Sequence, residues 1–152
     1  MGGIDASVRG ANELEALGRR FKEAGAKDLR KELLAGIRKT NKPTISAIRA
    51  SARAELPHGG GLAEIVASSR IGTRTKLSGS RVGVEIKGVG KVGLAGLNRG
   101  RLRHPVYGNR KVWVSQQVPA GWFSDPIEKD MPRIRAGIED AMQDVARKIE
   151  RG

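Results

Sequence analysis

The stretch from 127 to 149 constrains this chain most. Ile127, Met131, Ile134, Ile138, Ala141, Val145 and Ile149 follow one another at spacings of four, three, four, three, four and four. Those spacings put all seven on one face of an α-helix. Arg135, Glu139, Asp140, Asp144, Arg147 and Lys148 fall on the other side, a solvated face of mixed charge. Asp130 can cap and Pro132 suits a first turn, so the spacing predicts a helix over about 131–150. Most of a helix's stability comes from tertiary packing of its apolar face, so the rest of the chain must cover this stripe.

The N-terminal half offers more helices to do it. Leu14, Leu17 and Phe21 lie at helical spacing, and Gly25 ends that run. Leu29, Leu33 and Ile37 then repeat every four residues, widened by Leu34. TNKP (40–43) interrupts them, because Pro43 lacks an amide proton and disfavours helix at Lys42. Ile45, Ile48, Ala52 and Leu56 resume the spacing, which leaves a kinked helix and two successive helices both open. PHGGG (57–61) is a stop, and a further turn or two of helix covers Leu62 to Ser68. GIDASVR (3–9) reads as a short strand or an arm.

In the middle the period drops to two. RVGVEIKG (81–88) alternates Val82, Val84 and Ile86 with Arg81, Glu85 and Lys87, as a half-buried strand does. SSRIGTRTKL (68–77) is a weaker strand joined to it through LSGS as a hairpin. KVWVSQQV (111–118) is a third, with Val112, Val114 and Gln116 on one side and Trp113, Ser115 and Gln117 on the other. Between the second and third runs a long, Gly-rich, basic connection, 88–110. The expected fold is α+β: a helical N-terminal half, a small antiparallel sheet with a long basic loop, and a C-terminal amphipathic helix, in one domain over 1–152.

Charge narrows the function. Residues 38–118 hold 16 basic side chains against Glu55, Glu64 and Glu85, while the two ends nearly cancel, so the net charge of +13 resides in the middle. Arginine outnumbers lysine there. Three readings fit: a solvated surface, a nucleic-acid grip that releases counterions, or an assembly surface for an acidic partner. Four of the five aromatics (Tyr107, Trp113, Trp122 and Phe123) cluster beside these cations. Tyr, Trp and Arg are enriched at binding hot spots, and the same set can stack bases. Trp113 and Phe123 can equally complete the core of a small sheet.

Enzyme chemistry finds little support. With no cysteine, disulfides and thiolate metal sites are excluded. GVGKVG (88–93) matches a dinucleotide fingerprint, but no convincing helix follows it and the acid for the ribose is missing. His58 and His104 have no evident catalytic or metal-binding partners, and neither a nucleophile elbow nor a P-loop is present. The expectation is a non-enzyme without cofactor or metal. MGGIDASVRGANELE lacks the apolar core of a secretory signal, and no window approaches a span of roughly 20 apolar residues, so a soluble cytoplasmic protein is expected.

ELPHGGGLAEIVA (55–67) and RHPVYGNRKVWVSQQVPAGWF (103–123), set in this order of elements, resemble the gene-product-ten-like family of tailed bacteriophages, in its actinobacterial form. Those phage proteins act in the neck, in tail completion. The RHPVYGNR segment departs from commoner members. The resemblance implies a structural virion protein, made in the host cytoplasm, that assembles as a homo-oligomeric ring, a hexamer, where tail meets head. Its neighbours would be the tail terminator and the head-closure or connector proteins, with DNA passing through the channel and no membrane involved. On that reading Arg99, Arg101, Arg103, Arg110 and Lys111 contact a neighbour, with His104, Trp113 and Phe123 beside them and Tyr107 and Trp122 as anchors.

Overall fold

Ser124, not Asp130, opens the C-terminal helix in the computed structural model, which describes residues 2–8, 11–79, 82–106 and 109–151. The order is β1 (Gly2–Val8), α1 (Ala11–Ala24), α2 (Lys27–Glu55), a 3-10 turn (Gly59–Gly61), α3 (Leu62–Ala67), β2 (Arg70–Lys76), β3 (Gly83–Gly90), α4 (Leu94–Asn98), β4 (Arg101–Val106), β5 (Asn109–Gln117) and α5 (Ser124–Glu150). The fold is α+β. Its strands form two sheets, one ordered β1-β3-β2 and the other the antiparallel pair β4-β5.

The chain divides into two compact units. The first comprises Met1–Ile4, Ile45–Ile71 and Gly88–Lys129; the second comprises Asp5–Thr44, Gly72–Lys87 and Asp130–Gly152. In the second unit, the stripes read from the sequence become core: Leu14, Leu17 and Phe21 from α1, Leu33 and Ile37 from α2, and Ile134, Ile138 and Val145 from α5 are buried. Val84 and Ile86 of β3 join them, as the period-two pattern predicts. Gly137 lets α5 approach α2 closely, since a side chain there would collide with Thr40.

Pro43 does not split α2, which runs through it as one helix. Proline removes the amide that the Lys39 carbonyl would accept and crowds the turn before it. A polar cluster from α5 serves this turn. Arg133 Nη2 donates to the Thr40 carbonyl at 2.9 Å and to Thr44 Oγ1 at 2.9 Å. The same guanidinium forks onto Asp130, at 2.9 Å from Nε and 2.7 Å from Nη2. Thr44, fully buried, donates its hydroxyl to Asp130 as well. The Arg133 hydrogen bond holds the Asp130 carboxyl below its ordinary value, partial burial opposes this, and the Thr44 bond and the Arg133 charge add to it. Asp130 therefore joins α5 to α2 rather than capping a helix.

In the first unit the core is Ile48 and Ala52 of α2, Leu56 just past its end, Val66 of α3, Leu94 and Leu97 of α4, and Trp122, Phe123 and Ile127. Arg49 ties α2 to the end of α3, donating to the carbonyls of Ala67 and, at 2.8 Å, Ser69. The expected long loop over 88–110 is replaced by the end of β3, the short helix α4 and strand β4. Leu94 and Leu97 explain the helix, because both are buried where a loop would leave them in water. The expected third strand also pairs differently: β5 joins β4 and not the sheet of β2 and β3.

Candidate interaction surface

Gly100 marks where buried chain becomes exposed chain. It has φ of 89°, and a Cβ there would lie 3.0 Å from the Val118 carbonyl oxygen. The Val118 amide donates to the Gly100 carbonyl at 2.9 Å, and the Gly121 amide to the Asn98 carbonyl at 2.8 Å. These bonds clamp the two ends of the hairpin at its root. Asn98 completes the clamp, since its Oδ1 accepts the amides of Phe123 at 2.9 Å and Ser124 at 3.1 Å. Two of the amides that a helix start leaves without intrahelical acceptors are met this way, so α5 begins at Ser124.

From this root β4 and β5 extend as a two-stranded ribbon. Arg101 faces Gln117, Arg103 faces Ser115, His104 faces Val114 and Pro105 faces Trp113, with an irregularity between Pro105 and Val106. Alternation puts Arg101, Arg103, Pro105, Trp113 and Ser115 on one face, and Leu102, His104, Val112, Val114 and Gln116 on the other. Every residue of β5 is exposed, and none of β4 is buried. Trp113 keeps 50% of its surface accessible, Val112 47% and Val114 40%. The Arg103 guanidinium sits 5.5 Å from the Trp113 ring centroid, a cation–π stack between diagonal neighbours. Pro105 has no amide for an added strand, and the flanking arginines also discourage edge pairing.

The ribbon gathers some of the residues singled out in the sequence and leaves others aside. Arg101, Arg103 and Trp113 share a face, His104 lies on the opposite face, and Arg110 and Lys111 lie near the tip. Arg99 is exposed just before the root. Tyr107 lies outside the described residues. Trp122 and Phe123 stand elsewhere: both are buried, their rings meeting edge to face at 5.5 Å, and Trp122 Nε1 donates to the Leu94 carbonyl at 3.3 Å. This corrects the expectation of an anchor at Trp122 and an interface residue at Phe123, because a side chain without accessible surface has none to offer a partner. Two of the four clustered aromatics are thus buried.

Val106, Val112 and Val114 were missed as surface residues. Their signal was present: KVWVSQQ carries polar residues on both alternating sides, so neither face is fit to be buried along its whole length. His104 Nδ1 lies 3.1 Å from the Pro105 carbonyl oxygen, within hydrogen-bond distance. Among the described residues no three His, Asp or Glu side chains gather as a metal would need, and no helix is long and apolar enough to cross a membrane. No family model matches the chain, and neither a curated protein nor a solved structure shows significant similarity to it.

Proposed function

We propose that this chain is a structural virion protein of a tailed bacteriophage, a subunit of a ring at the head–tail junction that helps join the tail to the capsid connector. One observation carries the reading. The β4–β5 ribbon exposes Val112, Trp113 and Val114 together with Arg101 and Arg103, and is buried on neither face. A lone two-stranded ribbon is marginally stable in water and gains most when something covers it. Exposed aromatic and aliphatic groups beside arginine are the composition of an interface, and a ring subunit needs such surface for its neighbours. The resemblance of ELPHGGGLAEIVA and RHPVYGNRKVWVSQQVPAGWF to neck proteins supplies the setting. The function is architectural: it uses no cofactor or metal, and its partners are further copies and neighbouring neck proteins.

The test is a phage carrying Arg101→Ala, Arg103→Ala and Arg110→Ala together. Electron microscopy should show filled heads and separate tails; normally joined, infectious particles would overturn the proposal. A second reading, a free-standing nucleic-acid-binding protein, draws on the absence of any acid from residue 86 to 124. It requires tight DNA or RNA binding that weakens steeply between about 50 and 200 mM salt. The neck reading requires little such binding by the isolated chain.

A further inference from the structure

We infer that the β4–β5 ribbon of one copy docks in the groove between α1 and α5 of the next copy. The inference rests on the ring reading and names the contact that builds the ring. The groove belongs wholly to the second compact unit and has a volume of about 590 Å³. Its walls are apolar where Ala16 and Leu17 of α1 face Ile138, Met142 and Ala146 of α5. That size lies within the usual range of sites that enclose an aromatic group.

Charge complementarity selects a second copy as the occupant. Glu13 and Glu139 stand on the groove walls, and neither forms an ion pair with a described residue. Arg101 and Arg103 on the ribbon are likewise without a carboxylate among the described residues. Trp113, on the same face just beyond Arg103, is the large apolar group that the groove can shelter, and its stack on Arg103 presents indole and cation together. Arg20 also lines the groove but lies 3.9 Å from Glu150. Arg135 lines it too, so the rim has mixed sign, which fixes the register of a docked strand rather than merely attracting it. Ribbon and groove are different surfaces of one chain, so the contact is head-to-tail. Such contacts close into rings when the rotation per subunit allows.

The chain has no cysteine, so introduced thiols report this contact alone. Full-length Trp113→Cys and Met142→Cys chains are prepared separately and mixed with a mild oxidant. Both positions lie outside the fully buried core. Crossed dimers should exceed, at least tenfold, those formed when Glu23→Cys, an exposed position elsewhere on α1, replaces Met142→Cys. Parity between the two mixtures overturns the inference. Exchange of charges gives a second readout. Arg103→Glu and Glu139→Arg should each lower self-association at least tenfold, and the two changes in one chain should restore it. Failure of the double change to restore association also overturns it. Shielding of Trp113 by a DNA duplex, without crossed dimers, would assign the ribbon to nucleic acid instead. The two proposals fail separately. A ring that assembles with no Trp113–Met142 crosslink rejects the docking contact and spares the neck reading. Crosslinking in the face of normal head–tail joining by the triple arginine variant does the reverse.

Discussion

The two tryptophans lie nine positions apart and have opposite fates. Trp122 has no accessible surface, rests edge-on against Phe123, and gives its indole N–H to a backbone carbonyl of α4. Trp113 is half exposed and touches an arginine on its own ribbon. Residue type does not separate them, since both are tryptophan. Their neighbours do. Trp122 follows Gly121, which turns the chain at φ of 90° back over α4, whereas Trp113 sits in an extended strand every residue of which is exposed. A buried root and an arm with no cover are thus cut from one continuous segment. The root fixes where the arm starts, and the arm is left free to meet something else.

Stability measurements should separate root from arm, and the largest difference is expected between the tryptophans themselves. Trp122→Ala should lower unfolding free energy by about 3–5 kcal/mol in urea titration, whereas Trp113→Ala should change it by less than about 0.5 kcal/mol. Equal losses would erase the distinction. Next comes the clamp. Asn98→Ala leaves the amides of Phe123 and Ser124 without their acceptor and should cost about 1–3 kcal/mol. Asn109→Ala, at the tip, removes only an exposed bond to the Lys111 amide and should be close to neutral by the same titration.

The frame should respond to acid and the arm should not. The folded-state pKa of Asp130 is depressed below its unfolded value. Its contribution is therefore complete above the unfolded value of about 4 and disappears as pH falls through the folded one. Asp130→Asn should flatten that part of a stability profile taken between about pH 6 and 2. The ribbon holds no carboxylate, so Arg101→Ala with Arg103→Ala should leave the profile's shape unchanged. The smallest effect of all is expected for the triple arginine variant. Its unfolding free energy should stay within about 0.5 kcal/mol of the parent while head–tail joining is lost. A large stability loss in that variant would make the arginines part of the frame.

The sequence disclosed the frame better than the arm, for a physical reason. Repeats such as Leu14–Leu17–Phe21 and Ile134–Ile138–Val145 declare helices because burial demands a periodic stripe, and both stripes are buried. Val84 and Ile86 declare β3 in the same way. Where contacts are non-local, the pattern falls silent. The start of α5 depends on the Asn98 side chain, 26 residues upstream of Ser124, so Asp130 and Pro132 looked like the natural beginning. Pro43 looked like a break because the side chain that ties its turn to α5, Arg133, lies 93 residues beyond the Thr40 carbonyl it bonds. In the candidate site, the basic and aromatic composition pointed to the segment that the structure holds out as the exposed ribbon. It could not tell Trp113 from Trp122, because exposure is settled by what packs on top and not by residue type.

Hydrogen exchange of the full chain, isolated and then assembled, tests the central claim most directly. Amides of the ribbon, in 101–106 and 109–117, should exchange fast in the isolated subunit, well ahead of 94–98 and 118–130, because a two-stranded ribbon opens easily. On assembly the ribbon should become protected while the root changes little. A ribbon already protected in the isolated subunit, or unprotected in the assembled one, would contradict the account.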